Sequence, residues 1–440
     1  MTDVFGSLFW YVVTIGLLVT FHEFGHFWVA RRCGVKVHRF SIGFGKPLWM
    51  RTGRDGTEYV LAAIPLGGYV SMLDERAEDV PPEQAHAALN RKPVWQKIAV
   101  AAAGPIANIL LAILVFWTLH VVGEPDHEPL IGKVSGISAE AELQAQSRVI
   151  SVDGRPVTAW SEVANGVFEA AIYRRDVTIE TVDADGIQRK HSLELSAIPQ
   201  TVHPKQLGEH IGLARFSPAV AGKITAGEPA ELAGLKQGDR FIAINGDPVD
   251  DFGSVWKAVQ KHGAKGSLRV RVQRGTELRE FEVVPVKREY RGETFLAMGV
   301  SEPGLLLRYG PLDAIPKAFA STYTTTAKSL QFLKDMLTGV LSTEHLSGPV
   351  TIAQVANFTA NEGLPWFLGF LGAVSLGLAI LNLLPIPILD GGHILYYLIE
   401  LIKGSPVSER TLVAGQYVGL AMLSGLIGLA FFNDISGLFR

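Results

Sequence analysis

Two histidines and a glutamate stand at the end of a stretch that is otherwise apolar enough to enter a lipid bilayer. They are His22, Glu23 and His26, and the run 8–21 before them contains no charged side chain. Ionisable groups at membrane depth are costly unless they face a partner, a metal or water. Residues four apart share a helix face. His22 and His26 can therefore present two imidazole nitrogens to one ion, with Glu23 beside them. Phe21, Phe27, Trp28, Val29 and Ala30 around the motif argue against a solvated surface helix.

Imidazole suits Zn2+, and a catalytic zinc site uses three protein ligands and leaves one place open to water. A carboxylate next to the first ligand can take the proton of that water. The motif thus supplies two ligands and a base, and the third ligand must come from elsewhere. A second polar group lies in the apolar segment 382–393, which holds Asn382, Pro385, Pro387, Asp390, Gly391, Gly392 and His393. Its two prolines break or kink a helix and free backbone groups, which membranes tolerate where protein or a watery cavity covers them. Asp390 and His393 are both chemically competent ligands. Asp390 could instead cap a helix that starts near Gly391. Spacing does not choose among these.

His22-Glu23-Phe24-Gly25-His26 followed far downstream by Asn382, Pro385, Leu389, Asp390 and Gly391 resembles the site-2 protease family of intramembrane zinc metalloproteases. That family pairs H-E-x-x-H with N-x-x-P-x-x-x-L-D-G. The resemblance implies Asp390, not His393, as third ligand, Glu23 as base, and Asn382 as a cleft residue holding the substrate backbone. Gly43, Phe44 and Gly45 resemble the G-F-G of a membrane-associated hairpin. The segment 64–70, with Gly67, Gly68 and Tyr69, resembles an edge strand that pairs with an unwound substrate. Gly104, Pro105 and Asn108 fit a G-P-x-x-N motif. The layout resembles the regulator-of-sigma-E protease group of Gram-negative bacteria over nearly the whole chain. It implies cleavage of single-pass membrane proteins already cut on their outer side, such as an anti-sigma factor, and of remnant signal peptides.

Four stretches are long enough to cross a bilayer, near 6–30, 98–122, 366–389 and 410–432, since about 20 apolar residues suffice. The third is interrupted at its end by Pro385 and Pro387. The first has no basic leader, since residues 1–7 carry Asp3 and no Lys or Arg, so it reads as a retained span rather than a signal peptide. Basic residues crowd 31–97 (Arg31, Arg32, Lys36, Arg39, Lys46, Arg51, Arg54, Arg91, Lys92, Lys97), and Lys403 and Arg410 fall between the last two spans. The positive-inside rule then places 31–97 in the cytoplasm and 123–365 outside.

Within 31–97, the segments 35–40 and 59–64 read as strands around turn signals at 52–57, a small sheet against the inner membrane face whose edge can capture an extended peptide. The outer stretch holds a degenerate repeat. One copy runs from Ala221 through Ala233-Gly234-Leu235 and Gly238-Asp239 to Ile244-Asn245-Gly246. A weaker one runs from Ile131 to Asp153-Gly154 and lacks the A-G-L and G-D elements. Both resemble PDZ domains of bacterial proteases, which bind peptides by strand addition.

The expected architecture is a four-span α-helical core with a small membrane-associated β-sheet and two extracytoplasmic PDZ-like α+β domains. Its segments are 1–123, with the first two spans and the hairpin; 124–215 and 216–305, PDZ-like; 306–365, amphipathic linker helices; and 366–440, the last two spans. The expected setting is a bacterial inner membrane, with lipid around the spans.

A net charge of -3 with 19% charged residues offers no concentrated basic face for nucleic acid. Cys33 is the only cysteine, which excludes an internal disulfide and a thiolate zinc site, and reads as a packing residue. His38, His86, His120, His127, His191, His203, His210, His262 and His345 lack paired-ligand spacing and read as surface or satisfied core residues. Two rival functions fit parts of this pattern. A PDZ scaffold has no need of Glu23, and a zinc carrier would be expected to repeat its spans.

Overall fold

The computed structural model describes residues 4–76, 78–199, 202, 206–264, 266–290, 293–338 and 348–439. His203 and His345, named above, lie outside the described residues. Two compact units emerge, one formed by Met1–Gly123 with Arg308–Arg440 and the other by Glu124–Leu307.

The first unit is built on four helices long and apolar enough to cross a membrane: Val4–Arg32, Val94–Val122, Leu364–Leu383 and Glu409–Ser436. At 1.5 Å per residue the shortest, of 20 residues, extends about 30 Å, the thickness of a bilayer's hydrocarbon core. Their outward faces carry Phe5, Leu8, Phe9, Trp28, Leu110, Val418 and Leu420 in the open. Such a surface belongs in lipid, where it meets no aqueous penalty.

The inner faces meet through Leu18, Leu111, Val115, Phe116, Leu368, Leu371 and Leu376. Small residues let the helices come close, as is usual in membranes. A Cβ at Gly25 would overlap the Ala103 carbonyl of the second span. One at Gly372 would stand 2.7 Å from the Phe116 ring. Ser375 of the third span donates to the Asn108 carbonyl of the second at 2.7 Å. Within the amphipathic linker expected at 306–365, Ala314–Leu337 is a helix, and Ala318 from it joins the same core. Residues 339–345 lie outside the described residues.

The third apolar run differs from the expected 366–389. Its helix ends at Leu383, and a separate 14-residue helix, Asp390–Lys403, begins after the Pro385/Pro387 break. A helix starting near Gly391 is what the capping alternative for Asp390 supposes. The new helix packs mainly on the second span. Asp390 is its first residue, but Leu389 is the N-cap position and no side-chain cap hydrogen bond forms there. The capping alternative for Asp390 is therefore not what the structure contains. Gly391 and Gly392 are needed at this restart, because a Cβ on either would overlap the carbonyl of Leu384 or Ile386.

Strands Val37–Thr52 and Glu58–Met72 form the hairpin of the 31–97 region. The turn falls at the expected place. Gly53 N–H donates to the Thr57 carbonyl at 2.8 Å, and Gly56 has φ of +82°, which favours glycine. Both strands are longer than expected because each folds into two segments. Phe40 pairs with both Val70 and Tyr59, and Ser41 with both Tyr69 and Val60. Residues 37–42 thus lie between 58–61 and 68–72, and 47–52 pairs with 58–62. Among the described residues, 68–72 pairs on one side only, with 37–42, so it is an edge. Phe27, Ala30 and Val100 of the first two spans pack against Val37, Phe40, Val70 and Met72. This contact brings the edge to the end of the first span that carries the histidines.

The second unit contains the same arrangement twice. Arg148–Val152, Arg155–Pro156, Val177–Val182 and Gln188–Leu193 form one four-stranded sheet with helix Trp160–Ile172. Arg240–Ile244, Asp247–Pro248, Leu268–Arg274 and Glu277–Val283 form another with helix Phe252–Gly263. Each has its own apolar core, around Val149, Val163 and Ile179 in one and Phe241, Val255 and Val270 in the other. The turns Asp153-Gly154 and Asn245-Gly246 both have positive φ at two residues (+49°, +72°; +48°, +87°), the signature of a type I′ hairpin turn. In the second copy the buried Asp239 is ion-paired with Arg274 at 2.7 Å. Ser147 occupies the corresponding place in the first, where the G-D element is missing.

Candidate metal centre

His22 and His26 lie one turn apart on the first span, both buried, with their Nε2 atoms 3.3 Å from each other. Asp390, from the helix that restarts 364 residues after His26, reaches the same point. Its Oδ2 is 3.2 Å from His22 Nε2 and 3.4 Å from His26 Nε2. These atoms form a nearly equilateral triangle. An ion bound at about 2.0–2.1 Å in tetrahedral geometry separates its ligand atoms by about 3.3 Å. Asp390 Oδ2 is buried and makes no well-directed hydrogen bond in the structure. A buried carboxylate oxygen without one is costly, and a cation at the triangle removes that cost. The donor set, two imidazoles and a carboxylate, fits Zn2+.

The backbone and second layer of side chains hold this geometry. His26 Nδ1–H donates to the Val100 carbonyl at 2.8 Å, which leaves the Nε2 lone pair facing the triangle. Asn108, fully buried, stands with its amide 3.3 Å from His22 Nδ1, and its Oδ1 has no hydrogen bond. Turning that amide over lets Oδ1 accept from His22 Nδ1–H, the tautomer a metal-facing Nε2 needs. Ser375 in turn ties the Asn108 backbone to the third span. Gly104 leaves the room the imidazoles occupy. A Cβ there would overlap His26 Nε2 and stand 2.8 Å from His22 Nε2.

The triangle opens into a cavity of about 410 Å³ lined by His22, Glu23, His26, Asp390, Gly68, Tyr69 and Val70, and also by Arg76, Lys97, His393 and Tyr397. Glu23 faces this space beside the ligands. Gly68 is pressed against it: a Cβ at 68 would stand 3.0 Å from Glu23 Cγ and 2.7 Å from the Ser41 carbonyl. Only glycine lets the edge come this near the Glu23 side chain.

His393, the competing imidazole, lines the cavity but lies outside the triangle. Of the expected substrate-facing residues, Gly68 and Tyr69 line the cavity, while Asn382, Gly43, Phe44, Gly45 and Gly67 do not. Gly43 and Gly45 have φ of +89° and +86°, so they shape the loop. Phe44 stacks on the Tyr69 ring at 6.1 Å and bears on the site through it. Asn382 is the next-to-last residue of the third span. Lys97, Arg76 and Glu400 carry no site signal in the sequence, and Gly104 and Asn108 enter there only through the G-P-x-x-N motif, with no role at the histidines. Glycines in a helix and charges 303 residues apart, such as Lys97 and Glu400, carry no local signature of what they touch.

Comparison with known proteins bears on this geometry. The pattern of peptidase family M50 matches residues 10–426. A protein of Xylella fastidiosa (strain 9a5c) that carries a zinc metalloprotease name is 45% identical over 447 residues, covering 99% of this chain and 100% of that protein. The regulator of sigma-E protease RseP of Escherichia coli (strain K12) is 38% identical over 443 residues, covering 97% of this chain and 98% of its own. Protease RseP of Yersinia pestis is 38% identical over 453 residues, with both chains covered completely. With four membrane-length helices and a zinc-type donor triangle, the chain belongs to peptidase family M50 and is a membrane zinc metalloprotease.

Proposed function

We propose that this protein is a site-2-type endopeptidase that cuts substrates within the membrane, with His22, His26 and Asp390 as its zinc ligands and Glu23 as its general base. The observation that carries the assignment is the Nε2–Nε2–Oδ2 triangle, with edges of 3.3, 3.2 and 3.4 Å. When bound, zinc supplies a Lewis acid that polarises a carbonyl and lowers the pKa of water.

The chain's own residues do the rest. Glu23 accepts the proton of the attacking water and returns it to the departing amine. A helical peptide hides its carbonyls in its own hydrogen bonds, so the substrate must be extended before cleavage. The free side of 68–72 offers main-chain groups that pair with such a strand, and the absent side chain at Gly68 brings the paired peptide close to Glu23. Asn382, by family resemblance, holds the substrate backbone from the third span.

The relatives named regulator of sigma-E protease motivate the finer reading. The substrates are single-pass proteins of the bacterial inner membrane, trimmed beforehand on the outer side, of the anti-sigma-factor type, with remnant signal peptides as a second class. The two copies at 124–215 and 216–305 are read as PDZ-like modules on the outer face that exclude untrimmed substrates. Basic residues place 31–97 in the cytoplasm. The alternative of a PDZ scaffold leaves Glu23 and its glycine-lined approach without purpose.

The test is Glu23→Gln in the full chain, given a membrane-spanning reporter. The variant should retain zinc and lose cleavage by at least about 100-fold, within the range general-base catalysis contributes. Full cleavage by a zinc-loaded Glu23→Gln protein refutes the assignment.

A further inference from the structure

We propose that Lys97 and Glu400 are positioning residues for the metal centre: their ion pair, buried on the lysine side and partly buried on the glutamate side, fixes the helix that carries Asp390 and thereby sets zinc affinity. This rests on the reading of Asp390 as a ligand. Lys97 Nζ, 4% exposed at the start of the second span, donates to both carboxylate oxygens of Glu400 at 2.6 and 2.7 Å. The same ammonium lies 5.2 Å from the Tyr397 ring centroid, and Tyr397 is itself buried.

The helix Asp390–Lys403 needs such an anchor. The break at 384–389 uncouples it from the third span. Apart from Gly391 and Gly392 at its start, Tyr397 is its one buried residue, while Leu395, Leu398, Ile399, Leu401 and Ile402 are exposed. Its first turn is located by the glycine pair against the loop. Its far end is located by Lys97.

Leverage makes that far end matter. Asp390 and Glu400 are ten residues apart, about 15 Å along the axis. Released at Glu400, the helix pivots on its first turn: a shift of about 3 Å at the far end is a tilt of about 11°, which swings the Asp390 carboxylate, about 3 Å from that pivot, by about 0.6 Å. Zinc sites tolerate about 0.2 Å in ligand distance. A loosened clamp therefore reaches the metal though neither residue of the pair is a ligand.

The experiment measures Zn2+ affinity by competition with a chromophoric chelator, and the Co2+ absorption band, on the full chain in detergent. Lys97→Met should weaken zinc by about 10–100-fold, the range for supporting residues around metal sites, and alter the Co2+ band. Glu400→Gln should weaken it by about threefold or more in the same direction. The reversed pair K97E/E400K should return to within about threefold of the parent, because it rebuilds the clamp. Asp434→Ala, which removes the carboxylate near the end of the fourth span that accepts from the Gly348 and Val350 amides, should lower the thermal midpoint and leave zinc affinity alone. That contrast separates positioning from general stability.

Zinc affinities within twofold of the parent for both single variants overturn the proposal, as does a reversed pair that folds but stays weak. Where Lys97→Met does not fold, Glu400→Gln decides. Asp390→Ala distinguishes the two layers. Loss of zinc there with retention in Lys97→Met defeats the clamp alone, and retention in Asp390→Ala defeats the metal assignment beneath it.

Discussion

Gly104→Ala places one methyl group where the two imidazoles stand. The ideal Cβ would overlap His26 Nε2 and lie 2.7 Å from His22 Cε1 and 2.8 Å from His22 Nε2. Ordinary carbon–nitrogen contact requires about 3.5 Å, so each ring must retreat by about 0.7 Å or more. A metal site accepts about 0.2 Å. Neither ring can retreat freely, because His26 is tied to the Val100 carbonyl and His22 to Asn108. Zinc affinity should fall by at least about 10–100-fold. Helix propensity works the other way, favouring alanine over glycine by about 1 kcal/mol, so a loss of zinc cannot be blamed on a poor helix residue. The assay is chelator competition on full-length protein, with Gly16→Ala as control because its Cβ would meet nothing within 4 Å. A Gly104→Ala protein that binds zinc as the parent does refutes the packing argument.

Other sites make separate predictions. Asn108→Leu should lower zinc affinity about 10–100-fold by leaving His22 Nδ1 without its partner, measured by the same competition. Gly68→Val should keep zinc but cut peptidase turnover, since the side chain would displace Glu23 or the strand; unchanged turnover contradicts the close approach. Asp434 accepts from the Gly348 and Val350 amides at 2.9 and 2.8 Å and from the Thr351 hydroxyl at 2.6 Å. Asp434→Ala should therefore destabilise the first unit by about 1–3 kcal/mol, the cost of leaving buried donors unmet, read as a lower thermal midpoint. In the second unit, burial opposes the charged form of Asp239, yet the Arg274 guanidinium holds its pKa below the usual carboxylate value. Its stabilisation is therefore present above the unfolded pKa and lost as pH falls through the lower folded pKa. Arg274→Ala should destabilise the second unit at neutral pH, because it strands the Asp239 carboxylate. That deficit should shrink on acidification, seen by denaturant unfolding of the protein at a series of pH values; a deficit independent of pH contradicts the pairing.

What the sequence revealed follows from the range of the interactions involved. His22, Glu23 and His26 were legible because one helical turn fixes their geometry. The turn at 52–57 was legible because Gly53, Asp55 and Gly56 encode it locally. Pro385 and Pro387 announced the end of the third span, but the helix Asp390–Lys403 beyond it did not stand out, because a short apolar run with a charged end reads equally as loop. Spacing left Asp390, His393 and a helix cap unresolved, since a ligand 364 residues downstream of His26 is placed by tertiary packing alone. The edge strand's approach to Glu23 depends on what is missing at Gly68, and a glycine's letter does not say which neighbour needs the space. The weaker first repeat kept its Asp153-Gly154 turn while losing the Asp239 equivalent, so its turn was visible and its core ion pair had no counterpart to find.

The most direct measurement of the zinc centre is X-ray absorption at the zinc edge of the loaded, full-length protein. The account predicts nitrogen and oxygen scatterers at about 2.0–2.1 Å, outer-shell scattering from two imidazoles, and loss of the bound metal in Asp390→Ala. Sulfur scattering near about 2.3 Å, a third imidazole in place of the carboxylate, or an unchanged spectrum in Asp390→Ala would contradict it.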